Sequence, residues 1–246
     1  MTLQGWEQKY KEILKEFNYD IKKDIRSARI LNMILKDEFP LKKLERKIKN
    51  KTVFVIGAGP SLDKNVIVLK EFRNITKIVA NGATKALVEN KIKPDIVVTD
   101  LDGSWEFLKK AASNNSIMVV HSHGDNIEKL PVSIGFRYCI GTTEGKPFGK
   151  IRNFGGFTDG DRCVFLARYF GARKIILFGM DFGTTVGRYS KELDYDKRTK
   201  LRKLKKAKSL LEWLALKDGP EFYTTSVPIE GFSKIRFSDL RRLVRR

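Results

Sequence analysis

Six short apolar runs along the middle of the chain constrain its fold more than any other feature. They fall at 53–56, 78–80, 96–98, 117–120, 138–140 and 175–178, and most are followed at once by Gly, Asn or Asp. Helix-length stretches at 84–89, 105–112 and 162–170 lie between several of them. Continuous apolar strands alternating with helices mark a parallel sheet covered on both faces, since a sheet with one wet face would alternate polar and apolar residues. The predicted fold is therefore α/β, a mostly parallel Rossmann-like sheet with helices on both faces. Ligands of such sheets bind beyond the carboxyl ends of the strands. The residues just after each run are where chemistry is expected.

The flanks read differently. Before the first run, Trp6, Tyr10, Ile13, Leu14 and Phe17 fall on one helix face, and Ile21, Ile25, Ala28, Leu31 and Leu35 repeat the pattern after a break at Asn18-Tyr19-Asp20. Pro40 then precedes a short basic helix over 41–49. After Gly179 the chain turns basic. Residues 197–216 read as a long helix with eight Lys and Arg within 197–208, and Arg241, Arg242, Arg245 and Arg246 close the chain. The expected organisation is a helical N-terminal cap (1–50), an α/β catalytic core (51–185) and a basic C-terminal helical extension (186–246).

The strand ends carry the candidate chemistry. Gly57, Gly59, Pro60 and Ser61 follow the first run, where a glycine turn lets backbone N–H groups approach an anion and a following helix adds positive charge. A dinucleotide fingerprint would need a third Gly and a later acidic residue, so a phosphate loop or a plain tight turn remain the two readings. Asn81 and Gly82 follow the second run and fit a helix cap. Asp100 and Asp102 follow the third. Two carboxylates at one strand tip are costly to hold together without a cation, and hard oxygen ligands select Mg²⁺. The fourth run ends in His121, Ser122, His123, Gly124, Asp125 and Asn126, which resembles the HxHxDH zinc pattern, but the chain has 2 histidines and position 126 is Asn. A polar loop able to bind substrate or move a proton is what remains. Thr158, Asp159, Asp161 and Arg162 precede another helix, where one of Thr158 and Asp159 suffices as its cap. Asp181 follows the last run.

Taken in order, IGAGPSL, TDLDG, HSHGDN, GGFTDGD and GMDF make the chain resemble the archaeal 6-hydroxymethyl-7,8-dihydropterin pyrophosphokinases over more than half its length. The core is also distantly similar to thiamin pyrophosphokinase, with Asn81 and Gly103 standing where that enzyme has Asp and Ser. The resemblance implies Mg²⁺-dependent transfer of the terminal diphosphate of ATP to a reduced pterin, with AMP released, on the way to folate- or methanopterin-type cofactors. It implies Asp100 and Asp102 as Mg²⁺ ligands, with Asp125, Asp159 or Asp161 as a further ligand or the base. Substrate contacts are expected from the 57–61 turn and from Asn81, Gly82, His121, His123, Asn126, Thr158, Arg162 and Asp181, and one or two of the eight basic residues in 197–208 are expected to clamp the triphosphate.

Two other readings compete. GxGPSL-type segments also occur in larger proteins linked to flagellin glycosylation, which points to a sugar-nucleotide donor. A net charge of +20, from 49 Lys plus Arg against 29 Asp plus Glu, suits a nucleic-acid-binding protein. The basic segments contain few aromatics on which bases could stack, so nucleic acid is not the expected partner. No run is long enough to span a membrane, the N-terminus lacks a signal-peptide core, and two widely separated cysteines suit a reducing compartment, so a cytoplasmic enzyme is expected. A homo-oligomer is left open.

Overall fold

The computed structural model describes residues 3–190 and 196–245, so Arg246 of the basic tail lies outside the described residues. Each apolar run becomes a strand: β1 (Thr52–Ile56), β2 (Thr76–Ala80), β3 (Ile96–Thr99), β4 (Ile117–His121), β5 (Cys139–Thr142) and, after the short β6 (Ile151–Arg152), β7 (Lys174–Phe178). Two further strands, β8 (Glu221–Thr224) and β9 (Ser233–Lys234), come from the C-terminal region. Together they form one sheet in the order β6-β5-β4-β3-β2-β1-β7-β8-β9, and every strand pair within it is parallel.

Alternate residues of each strand serve opposite faces, which is why these strands are apolar throughout. Val53, Val55, Ile78, Ile96, Val98, Ile117, Ile175 and Leu177 share one core layer with α1 (Trp6–Phe17), α3 (Leu41–Ile48), α7 (Asp159–Tyr169) and α8 (Lys197–Ala215). On the other face, Val97, Met118 and Val120 pack against α2 (Ile21–Ile34) and α6 (Trp105–Ser113). Phe54, Ile56, Val79, Ile176 and Phe178 on that face meet α4 (Leu62–Asn65), α5 (Ala83–Glu89) and α9 (Leu240–Arg245).

Residues 1–50 are more than a cap. The break after α1 is real, with Asn18 in the left-handed region at φ 53° and the Asp20 side chain accepting from Lys22 N to start α2. This break sends α1 and α2 to opposite faces of the sheet. Nor is the C-terminal region purely helical, since β8 and β9 extend the sheet beyond β7. No described helix is long and apolar enough to cross a membrane.

The chain leaves β1 toward β2 and works outward to β6. It then returns along α7, which packs on β1, β2, β3 and β7, to place β7 on the far side of β1. The carboxyl ends of β1 and β7 therefore flank a topological switch point, where a crevice opens.

Candidate active site

Beyond β3 the chain turns sharply. Leu101 lies in the left-handed region with φ 66°, a conformation that non-glycine residues adopt at a cost. Its amide donates to Thr99 Oγ1 at 2.8 Å and its side chain is buried in the layer beneath, so packing holds the strained turn. The flanking carboxyls of Asp100 and Asp102 meet a third, Asp159, the first residue of α7. One oxygen from each lies within 4.8 Å of the others. Asp159 also sits at the positive end of an 11-residue helix, which favours its negative charge.

Neighbouring groups hold the cluster. Asn81 Nδ2 donates to Asp102 Oδ1 at 2.5 Å and to Asp100 Oδ1 at 3.3 Å. His123 Nδ1 accepts from Asp125 N at 3.2 Å, which leaves the ring proton on Nε2, 3.6 Å from Asp100 Oδ2. Asn126 orders the loop, donating to Asp100 O at 2.9 Å and His121 O at 2.7 Å while accepting from His123 N at 3.0 Å. The Arg162 guanidinium bridges two acids, with Nη1 3.4 Å from Asp159 Oδ1 and Nη2 2.5 Å from Glu144 Oε1.

The electrostatics separate the acids. Burial works against ionising Asp100, but hydrogen bonds from His123 and at Asp102, with the charge of Arg162, outweigh it and hold this carboxyl below the usual range. Asp159 goes the other way. Burial and the Asp100 charge push it well up, against the pull of Arg162. Burial also raises Glu144, again opposed by Arg162. His121 is 2% exposed, and burial followed by the charge of Arg162 drives its pKa well below 6.5, so it is neutral.

A cleft of about 410 Å³ runs along the strand ends. Gly57, Gly59, Pro60, Asn81, Gly82, Asp100, Asp102, His123, Asp125, Thr158, Asp159, Arg162 and Asp181 all reach it. The glycine turn lies directly on the β7 end: Gly59 N donates to Gly179 O at 2.8 Å, and a Cβ at Gly59 would meet that oxygen at 2.7 Å and collide with the Asp181 carboxylate. Asp181 Oδ2 accepts from Ser61 N at 2.8 Å, so it braces the turn, and Ser61 Oγ lies 3.0 Å from Ser226 Oγ. The helix after the turn, α4, is a mere 4 residues long, too short for the dipole contribution expected from the sequence.

Other candidates are turned away from the cluster. Asp161 is fully buried, and its carboxyl accepts from Phe157 N, Thr158 N and Thr158 Oγ1, so it caps α7 as a structural acid. His121 is likewise buried beneath the cleft, with Nδ1 3.2 Å from Thr142 Oγ1. Asn126 is buried and spends its amide on the loop. Asp125 stays at the rim, its side chain 73% exposed.

Several cleft residues have no counterpart in the sequence reading. Tyr19, Lys23 and Asp24 arrive from the α1–α2 junction, Glu144 from beyond β5 and Phe157 from before α7, whereas Lys200 and Lys203 come from the basic helix α8 where a clamp was expected. Asp24 ties α2 to the β4 loop, accepting from Gly124 N at 2.9 Å and from the Tyr10 hydroxyl at 2.7 Å. Other basic residues of α8 engage elsewhere: Arg202 donates to Glu16 O, Lys206 pairs with Glu12 and Glu16, and Lys208 pairs with Glu212.

The sequence profile of the 6-hydroxymethylpterin diphosphokinase MptE-like family matches residues 27–187, a span that contains every acid of the cluster. The chain belongs to this family. It is accordingly an enzyme of the diphosphokinase class. A family relative from Pyrococcus furiosus, named 6-hydroxymethyl-7,8-dihydropterin pyrophosphokinase, is 44% identical over 220 residues, covering 87% of this chain and 94% of the relative. Proteins of the same name from Methanocaldococcus jannaschii and Methanothermobacter thermautotrophicus are each 42% identical, over 90% and 87% of this chain and 99% and 95% of their own lengths. Among solved structures, the Maf glycosyltransferase from Magnetospirillum magneticum AMB-1 aligns with a TM-score of 0.54 at 16% identity, over 89% of this chain and 39% of that one. At that identity the likeness concerns the fold alone.

Proposed function

We propose that this diphosphokinase transfers the terminal diphosphate of ATP to the hydroxymethyl oxygen of 6-hydroxymethyl-7,8-dihydropterin, releasing AMP, with Mg²⁺ held by Asp100, Asp102 and Asp159. The observation that carries the reading is the convergence of these three carboxylates in the cleft of a chain whose relatives bear that name over nearly their full length.

The donor set fits the cation. Three carboxylates supply hard oxygens, and the adjacent imidazole turns its N–H toward Asp100, where it supports a ligand without competing as one. Asp159, pushed toward its neutral form by burial and by Asp100, is the acid whose ionised form a cation would favour most. When bound, Mg²⁺ supplies neutralisation of charge on the phosphate oxygens during in-line attack at the β-phosphorus.

The chain's own groups do the rest. The 57–61 turn, braced by Asp181, offers a close backbone approach for the polyphosphate, and Lys200 of α8, whose charge acts on Asp159, is the basic clamp. Arg162 keeps Asp159 aimed into the cluster. With Asp161 committed to its cap, Asp125 at the rim is the carboxylate left to accept the hydroxyl proton. Incubation with ATP, Mg²⁺ and the dihydropterin is expected to release AMP in step with pterin diphosphate. AMP no greater than that from Asp102→Asn would refute the reading.

A further inference from the structure

Glu144 has no part in the metal cluster, yet the fold goes to some length to hold it in the cleft. Its residue is 5% exposed. Its backbone carbonyl accepts from the buried Trp6 indole N–H at 2.9 Å and from Asn153 Nδ2 at 2.7 Å, fixing it from two sides. A buried acid incurs a large desolvation cost and is expected to be well supplied with donors. Among the described residues, one donor reaches the Glu144 carboxylate, Arg162 Nη2, and that same guanidinium also serves Asp159.

The surroundings add acceptors. The Thr142 hydroxyl donates to Val120 O at 3.1 Å, so His121 Nδ1 carries the proton that meets Thr142 Oγ1, and Nε2 is left as a lone pair. That nitrogen lies 3.8 Å from Glu144 Oε1 and has no hydrogen-bond partner among the described residues. The nearby Asp24 carboxylate already accepts from Gly124 N and the Tyr10 hydroxyl. Against these acceptors, the Glu144 carboxylate itself has a single donor among the described residues, Arg162 Nη2. Beside it runs an aromatic wall, where Phe157 packs on Phe17 with centroids 4.9 Å apart and Tyr19 lies 6.4 Å from Phe157.

We infer that Glu144 is the specificity-determining anchor for the aminopyrimidinone edge of the acceptor, a subsite that rests on the pterin reading above. That edge presents a ring N–H and a 2-amino group side by side, two parallel donors that match the two oxygens of one carboxylate. The flat bicycle suits the Phe157 and Tyr19 wall. The hydroxymethyl group sits at the opposite end of the bicycle from the amino group, so an edge held on Glu144 leaves the hydroxyl free to face the acids around Asp100. Arg162, spanning Glu144 and Asp159, then links the acceptor subsite to the metal cluster through one rigid fork.

The test crosses a variant with a substrate analogue, using pterin-dependent AMP release by the full chain. Wild type is compared with Glu144→Gln, on 6-hydroxymethyl-7,8-dihydropterin and on its 2-deamino analogue. Loss of a hydrogen-bonded pair to a buried charge should lower kcat/KM for the pterin by about 10- to 100-fold, either by removing the amino group or by making the substitution. The two losses should overlap rather than multiply, because both break the same contact, while KM for ATP stays near wild type. A residue that merely braced Arg162 would raise the Mg²⁺ requirement and leave discrimination against the analogue intact. Full discrimination by Glu144→Gln therefore overturns the inference. So does a wild type indifferent to the amino group, which decides the matter even where the variant does not fold. A wild type that releases no AMP with the pterin removes the functional reading itself, and the anchor with it.

Discussion

Asp102→Asn separates function from stability in a direction that few other substitutions would. Asp102 stands at the exposed rim of three carboxylates whose oxygens lie within 4.8 Å of one another. At that distance and an effective dielectric of about 20, each pair of like charges repels by about 3.5 kcal/mol. Water at the rim screens most of this, so removing one charge should stabilise the metal-free protein by about 1 kcal/mol. For a domain of this size that raises Tm by about 2–4 °C. The Asn81 amide keeps an oxygen to donate to, so no buried group is orphaned. Differential scanning fluorimetry in EDTA and in Mg²⁺ reads both halves: the variant should melt higher than wild type without metal, gain less from Mg²⁺, and release little AMP. A lower metal-free Tm together with an undiminished Mg²⁺ response would refute the reasoning.

Three further outcomes follow from the same geometry. Gly59→Ala drives a Cβ onto Gly179 O and the Asp181 carboxylate, so it should cost about 1–3 kcal/mol in chemical denaturation and raise KM for ATP. Lys200→Ala, which removes a charge that acts on Asp159, should raise KM for ATP about tenfold in steady-state kinetics, whereas Lys205→Ala on the exposed side of α8 should leave it unchanged. His121 stays neutral when folded and binds a proton near pH 6.5 when unfolded, so below that pH the unfolded state holds the extra proton. Stability should therefore fall with decreasing pH below about 6.5, by up to about 1.4 kcal/mol per unit, and the excess slope of wild type over His121→Gln in pH-dependent denaturation measures it.

The sheet and the meeting of Asp100 with Asp102 and Asp159 were legible in the sequence because both follow from local pattern. Apolar runs buried on two faces cannot alternate, and a parallel sheet presents all its carboxyl ends on one side, so residues scattered from Asp100 to Asp159 had to converge. The Glu144 end of the cleft was not legible, because it depends on packing between distant segments. Asp24 sits on a helix whose apolar stripe reads as an ordinary cap, and its role appears once α2 crosses to the β4 loop. Glu144 had one available signal: β5 runs on to Thr142, and following the strand that far would have exposed Glu144 just beyond its end. Asp161 reads as a second functional acid two positions after Asp159, but positions two apart on a helix point to opposite sides, and Asp161 turns back onto Phe157 and Thr158. The strands β8 and β9 were hidden in a segment whose basic composition drew attention to its helix.

The phosphorus of ATP that is attacked distinguishes a diphosphate transfer from every simpler kinase reaction. ³¹P NMR of the products formed from ATP, Mg²⁺ and 6-hydroxymethyl-7,8-dihydropterin reads this directly. Attack at the β-phosphorus, the expected outcome, gives AMP and a pair of coupled resonances from a pterin-linked diphosphate. ADP with a pterin monophosphate, or ATP left intact beside the dihydropterin, would contradict it.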